Sequence, residues 1–175
     1  MGRYPWEPWH FGYGLNAGTT SVGFGDGSRL RSLPSFVPGP LEAVISRAAQ
    51  RWNVSGALLA AQLYAESNFN PFAESGAGAK GIAQFMPGTA RAYGLSNPFD
   101  PAASIDAQAH LMRDLLRRFA AVPLALAAYN AGPVPVAACG CVPAIPETQA
   151  YVAKILGLLG GAGEGLAALE VRLVA

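Results

Sequence analysis

Apolar residues between positions 40 and 160 recur at helical intervals, and no run alternates apolar and polar residues as a half-buried strand does. The first apolar stripe begins just after Pro40, a residue suited to the first turn of a helix. The stripe consists of Leu41, Val44, Ile45 and Ala48. This spacing predicts a mainly α-helical domain over about residues 40–160.

End signals divide that region into separate helices. Ser55 is a candidate N-cap for a helix that runs to about residue 67 and stops before Asn70-Pro71. Asp100 is a candidate N-cap for a long helix with one apolar face, made of Ile105, Ala109, Met112, Leu116 and Phe119. Shorter helices are predicted near residues 89–94, over 122–132 and from Pro146 onward.

The length of 175 residues favours one domain with flanking segments. Residues 15–39 form a predicted linker rich in Gly, Ser and Pro, and residues 161–175 a C-terminal tail. Hydrophobic residues make up 51% and charged residues 13% of the chain, which is typical of a globular protein. The net charge of +1, with no basic run, argues against nucleic acid as a partner. A monomer is expected.

No transmembrane segment is predicted, because Glu164, Glu170 and Arg172 interrupt the apolar C-terminal stretch. The two cysteines, Cys139 and Cys141, flank a single glycine. A disulfide between them would close a very small ring, so we expect unpaired cysteines in a loop. They do not have the spacing of a zinc site.

One carboxyl group is a candidate for catalysis on its surroundings alone. Glu66 ends a predicted helix whose preceding residues, 57–65, are almost entirely apolar, with Gln62 as the exception. Partial desolvation would raise the pKa of this carboxyl group and suit it to donate a proton near neutral pH. A solvated glutamate at a helix end is the commoner alternative.

Four short motifs add to this candidate. In chain order they are Glu66-Ser67, GIAQFMP at 81–87, AYNAG at 128–132 and PETQAYV at 146–152. Their order and spacing resemble the catalytic domain of the soluble lytic transglycosylase family, which shares a lysozyme-like fold with goose-type lysozymes. The resemblance covers about residues 40–158. It implies a lysozyme-like helical fold and cleavage of peptidoglycan glycan strands.

The resemblance also implies roles for individual residues. Glu66 corresponds to the single catalytic acid/base, and Ser67 to the hydroxyl that helps orient the N-acetyl group of the sugar. Gln84 corresponds to the glutamine that lines the saccharide groove. The apolar wall of that groove is attributed to Phe85 and Met86.

The remaining two motifs imply four further substrate-binding residues. Tyr129 and Asn130 correspond to the pair that faces the glutamate across the cleft, and Glu147 and Tyr151 to the last motif, where the tyrosine approaches the reaction centre. Structural alternatives stay open. The tyrosines could be core aromatics, Asn130 a helix cap, and Glu147 an acid favoured by the helix dipole. By its periodicity, His110 is expected to be a solvated surface residue.

A single carboxylate suggests a reaction in which the substrate supplies the second group. The implied reaction cleaves the β-1,4 bond between N-acetylmuramic acid and N-acetylglucosamine and leaves a 1,6-anhydro end, with no cofactor and no metal. The first alternative is a hydrolysing, goose-type muramidase. The second is a non-catalytic wall-binding module of a phage tail or secretion machine.

The first residues carry a second, short resemblance. Residues 7–13, EPWHFGY, are similar to the closing motif of VanY-type zinc D,D-carboxypeptidases, in which the glutamate is a base and the histidine a zinc ligand. Because no further ligands are recognisable, residues 1–14 are interpreted as a remnant of such a domain. No secretion signal is visible at this end of the chain. The substrate would place the protein at the cell wall, in the periplasm, outside the cell or delivered by a phage.

Overall fold

The computed structural model describes residues 33–161, which form seven helices. Six of these helices have a proline in their first turn, where a missing backbone N–H costs nothing. The exception, α2, starts at a serine cap. The helices are α1 (Gly39–Trp52), α2 (Gly56–Ser67), α3 (Pro87–Ala92), α4 (Pro101–Phe119), α5 (Val122–Ala131), α6 (Pro133–Cys139) and α7 (Pro146–Gly161).

Both predicted N-caps are confirmed. The Ser55 hydroxyl oxygen accepts a hydrogen bond from the backbone N–H of Leu58 at 3.3 Å. The Asp100 carboxylate accepts bonds from the first backbone N–H groups of α4, those of Ala102 and Ala103. These side chains fix where the two helices begin, and they do so through contacts that are local in sequence.

Two apolar helices form the centre of the fold. All residues of α2 from Ala57 to Leu63 are buried, and so are those of α5 from Ala125 to Ala128. Helix α2 packs against α1, α4 and α7, while α5 packs against α4, α6 and α7. A helix that is apolar all round has to lie inside the protein. The C-terminal ends of both helices carry the candidate site residues.

The segment between α2 and α3 crosses the surface without forming a strand. Two isolated bridges hold it, from Glu74 to Lys80 and from Lys80 to Phe85. Gly81 has a φ of +76°, and a Cβ built there would lie 1.7 Å from the carbonyl oxygen of Pro98. Only glycine fits this close approach between two loops.

The structure overturns the expectation of unpaired cysteines in a loop. Cys139 ends α6, a helix that the sequence did not predict, and it forms a disulfide with Cys141. Gly140 between them adopts a left-handed conformation with a φ of +61°. This turn brings the two cysteine Cα atoms to 5.1 Å, within the range of a disulfide.

The last residues of the predicted linker over 15–39 lie within the described part of the chain. Val37 is buried, and the ring of Phe36 lies 5.5 Å from that of Tyr64 on α2 and 6.3 Å from that of Phe69. Residues 33–38 therefore pack on the helical core instead of merely leading to it. The carboxypeptidase-like segment at 1–14 and nearly all of the tail at 161–175 lie outside the described residues.

Between residues 33 and 161, every helix is either too short or too polar to cross a lipid bilayer.

Candidate active site

Glu66 lies in the last turn of α2, where the chain leaves the core. Asn68 ends the helix in a left-handed conformation and directs the backbone into the loop that follows. The Glu66 side chain is partly buried, and its Oε1 accepts a 2.6 Å hydrogen bond from the hydroxyl of Tyr151. Because α2 is apolar and buried up to Leu63, its last turn places the Glu66 carboxyl group at the edge of the protein interior.

Burial raises the pKa of Glu66 from 4.5 to about 7. The hydrogen bond from Tyr151 and the positive charge of Lys154 lower it in part, whereas the negative charge of Glu147 raises it. At neutral pH this group therefore exists in both protonation states. It can donate a proton in one reaction step and accept one in the next.

Two tyrosine hydroxyls approach the site from different helices. The hydroxyl of Tyr129 on α5 donates to the carbonyl oxygen of Ala83 at 2.8 Å, and that of Tyr151 on α7 donates to Glu66. Burial, together with the negative charge of Glu66, raises the pKa of both tyrosines well above 10. Both hydroxyls stay protonated and act as neutral hydrogen-bond donors.

Ser67 and Gln84 fasten the loop at 70–86 beside Glu66. The Ser67 hydroxyl donates to the carbonyl oxygen of Ile82 at 2.7 Å. The Gln84 side-chain amide donates to the carbonyl oxygens of Gly81 at 2.9 Å and Ala73 at 3.1 Å. The hydroxyl oxygen of Ser67 and the amide oxygen of Gln84 can each accept a further hydrogen bond.

The two residues predicted to form the apolar wall lie at different depths. Phe85 is 2% exposed and packs edge-on against the ring of Tyr129, with 6.3 Å between ring centroids. Met86, at the start of α3, is partly exposed. Phe85 therefore lies in the core, and Met86 is the one of the pair that reaches the surface.

Asn130 and Glu147 lie on either side of a contact between α5 and α7. The Asn130 amide oxygen accepts a 2.7 Å hydrogen bond from the hydroxyl of Thr148, which is 1% exposed. Glu147 is exposed and acts on Glu66 through its charge. In this structure Asn130 thus joins two helices that each carry a site tyrosine.

Sequence reasoning missed three residues near Glu66. Gln62 and Gln108 are fully buried and lie behind Tyr151, and the Lys154 ammonium group lies 3.4 Å from the Ala65 carbonyl oxygen. The sequence held a signal for both glutamines. Gln62 is the polar exception in an apolar helix, and Gln108 falls within the buried stripe of α4, three residues after Ile105.

The expectation that His110 is a solvated surface residue holds only in part, because its side chain is 31% exposed and packs against an aromatic ring. Its ring stacks on that of Trp52 with 3.9 Å between centroids, and its Nε2 lies 3.6 Å from the carboxylate of Asp114. Burial lowers the pKa of His110. An aromatic partner on α1 covers a position that the α4 periodicity alone assigned to solvent.

Residues 43–140 match the family model described as the transglycosylase SLT domain. The chain belongs to this family. The match ends before α7, so the positions of Tyr151 and Lys154 in the candidate site rest on the tertiary structure.

Relatives of this SLT domain occur in a phage and in bacteria. A transglycosylase of Enterobacteria phage PRD1 is 40% identical over 88 residues, which are 50% of this chain and 33% of the relative. A membrane-bound lytic murein transglycosylase F of Desulfosudis oleivorans is 36% identical over 107 residues, 57% of this chain and 22% of the relative. The chain thus spans a third or less of these relatives.

Solved structures of lytic transglycosylases share the fold of the SLT domain. An inactive mutant of the lytic transglycosylase Slt from Pseudomonas aeruginosa superposes with a TM-score of 0.62 at 28% identity, over 73% of this chain and 24% of that one. The 70 kDa soluble lytic transglycosylase from Escherichia coli gives a TM-score of 0.58 at 22% identity, over 66% and 23% of the two chains. The predicted mainly α, lysozyme-like fold is confirmed.

Proposed function

We propose that this chain is a peptidoglycan lytic transglycosylase that cleaves the β-1,4 bond between N-acetylmuramic acid and N-acetylglucosamine. The observation that carries the proposal is the position of Glu66 in the last turn of the apolar helix α2, where its Oε1 accepts a 2.6 Å hydrogen bond from Tyr151 and burial raises its pKa to about 7. Family membership and the relatives named as murein transglycosylases support the substrate class. The expected site of action is the cell wall.

The first step uses protonated Glu66 as a general acid. The carboxyl proton passes to the glycosidic oxygen, the C1–O bond of the muramyl residue breaks, and the N-acetylglucosamine hydroxyl leaves. Positive charge then develops at C1. The oxygen of the 2-acetamido group of the same sugar stabilises that charge, so no second protein carboxylate is needed.

The second step uses the resulting Glu66 carboxylate as a base. It removes the proton of the C6 hydroxyl of the muramyl residue, and the C6 oxygen bonds to C1 to form the 1,6-anhydro ring. Glu66 recovers its proton, so the reaction is balanced without water, metal or cofactor. A carboxyl group with a pKa near the ambient pH suits both steps.

The surrounding residues have distinct tasks in this proposal. Tyr151 holds Glu66 through the 2.6 Å bond, and Tyr129 holds the loop that carries Gln84. Ser67 and Gln84 bind the sugar through the acceptor oxygens that their own bonds leave available. Met86 forms the exposed part of the apolar wall.

The products of digestion test the proposal. Purified peptidoglycan is incubated with the protein, and the released muropeptides are analysed by mass spectrometry. We expect ends in 1,6-anhydromuramic acid, lighter by one water than reducing ends. Reducing ends as the main product would establish a muramidase instead, and no release beyond that of a Glu66→Gln control would establish a non-catalytic wall-binding module.

A further inference from the structure

Two buried glutamines and the partly buried Tyr151 form a hydrogen-bonded chain behind Glu66, each on a different helix. The amide nitrogen of Gln108 on α4 donates to the amide oxygen of Gln62 on α2 at 2.9 Å. The amide nitrogen of Gln62 donates to the hydroxyl of Tyr151 on α7 at 3.2 Å. Tyr151 donates to Oε1 of Glu66 at 2.6 Å, so the chain ends on the candidate acid.

The direction of each hydrogen bond in this series determines the direction of the following hydrogen bond. A primary amide donates only through nitrogen and accepts only through oxygen, and a phenol has a single hydrogen. Because Gln108 donates to the oxygen of Gln62, Gln62 has to present its nitrogen to Tyr151. The Tyr151 oxygen then accepts, and its hydrogen is left for Glu66.

Packing alone does not account for the two glutamines. Both are 0% exposed, and the amide oxygen of Gln108 has no hydrogen-bond partner among residues 33–161. An unpaired buried acceptor is unfavourable, and replacing a buried polar pair by apolar side chains of similar shape is often neutral or stabilising. An influence of the two glutamines on the orientation of Tyr151 and Glu66 would explain why this buried polar pair is present although core packing does not require it.

We propose that Gln62 and Gln108 are positioning residues that hold Tyr151 as a donor to Oε1 of Glu66. The proton of the acid form is thereby kept on Oε2, the oxygen available to the glycosidic bond. This inference rests on the proposed transglycosylase reaction. If Gln62 reversed its amide, the Tyr151 hydrogen would turn to Gln62 and the bond to Glu66 would be lost. Gln108 opposes that reversal, because its amide nitrogen also donates to the carbonyl oxygen of Leu59 at 3.5 Å and so continues to face Gln62.

Other groups also influence the titration of Glu66, and the test has to leave them unchanged. Tyr151, Glu147 and Lys154 face it from α7, and Tyr129 lies near it on α5. The bond from Tyr151 lowers the pKa of Glu66. Replacing a glutamine behind Tyr151 changes no charge, so a change in the titration reports on the hydroxyl.

The first measurement is an NMR titration of the Glu66 side-chain carboxyl carbon in the full chain. In Gln62→Met, a change of similar shape, we expect its pKa to rise by roughly half a unit to one unit. Gln108→Met should produce a smaller rise, because Gln62 remains but is free to reverse. As a control, Leu58→Ala removes buried volume from the same helix and should leave the titration unchanged.

The second measurement is kinetic. In Gln62→Met, kcat should fall about tenfold, as expected from one misdirected hydrogen bond, while KM stays within about twofold. The decline of activity at high pH should move upward together with the pKa of Glu66. In a Tyr151→Phe background, Gln62→Met should have no further effect on either quantity.

Two results would overturn the inference: a Gln62→Met titration identical to wild type, or an effect that persists undiminished in the Tyr151→Phe background. If Gln62→Met does not fold, the titrations of Gln108→Met and Tyr151→Phe decide the matter in the same way. The titration requires no substrate. A wild-type protein that fails to cleave peptidoglycan would therefore refute the proposed function while the hydrogen-bonded chain is still tested on its own.

Discussion

The hydroxyl of Tyr151 donates a 2.6 Å hydrogen bond to Oε1 of Glu66, joining two residues 85 positions apart in the sequence. The bond connects the C-terminal turn of α2 to the second turn of α7. It gives Glu66 a fixed orientation in a place where burial alone would favour the neutral acid. The proposed chemistry depends on the balance between burial, which raises the pKa of Glu66, and this hydrogen bond, which lowers it.

Glu66→Gln should reduce cleavage of peptidoglycan by about 10²–10⁴-fold, because general acid–base catalysis contributes that much. The amide has almost the shape of the acid but cannot donate or accept the reacting proton. The loss is measured from the turbidity of a purified cell-wall suspension, with circular dichroism confirming the fold. A variant that keeps more than about a tenth of the wild-type rate would refute the role of Glu66.

The same substitution should increase stability at high pH. Glu66 has a pKa of about 7 in the folded state and 4.5 as its ordinary value, so the wild type loses stability as the pH rises through that window. The Glu66→Gln variant does not lose stability in this way, because glutamine does not ionise. Its unfolding free energy should exceed that of the wild type by about 3 kcal/mol above pH 8. Urea titrations at several pH values would show this difference, which should vanish below about pH 4.

Lys154 and Glu147 should shift the pH profile in opposite directions. Lys154 lowers the pKa of Glu66 and Glu147 raises it. Lys154→Met should move the decline of activity at high pH to a higher value, and Glu147→Gln should move it lower. Each displacement should be less than about one pH unit, since both side chains are exposed to screening solvent. Profiles that move in the same direction would contradict the electrostatic assignment.

Gly81→Ala should be strongly destabilising, by about 2–4 kcal/mol, because a methyl group there collides with the backbone at Pro98 and also faces a positive φ. Gly78 is a matched control, with a φ of +91° and open space around it. Gly78→Ala should cost only about 1 kcal/mol from backbone strain. Thermal unfolding of the two variants measures both losses of stability. The difference between them gives the part that is due to the collision with Pro98, because both variants share the backbone strain.

Removal of residues 1–32 should leave the cleavage activity intact, because Leu33, Phe36 and Val37, which pack on the helical core, are retained. A cut at residue 38 should lower stability, since it removes these contacts with the core. A chelator should leave the cleavage activity of both the full chain and the chain without residues 1–32 unchanged, because we expect glycan cleavage to need no metal. Stoichiometric zinc in the purified chain would show that residues 1–14 are more than a remnant.

The sequence alone predicted six of the seven helices between residues 33 and 161, and the partial burial of Glu66. Serine and aspartate caps and the prolines of first turns act over three or four residues, so Ser55 and Asp100 were identified correctly without any tertiary contact. The apolar run before Glu66 made its desolvation predictable, because a helix that is apolar on every side has to be buried.

The tertiary structure decided what lies around Glu66. Gln62, Gln108 and Tyr151 come from three helices, and their contact depends on how α2, α4 and α7 pack. The same reason explains why His110 is less exposed than expected, since Trp52 on a neighbouring helix stacks on one side of the ring. Periodicity within a helix shows which side of it faces the interior, but the neighbour that the side meets is set by contacts distant in sequence.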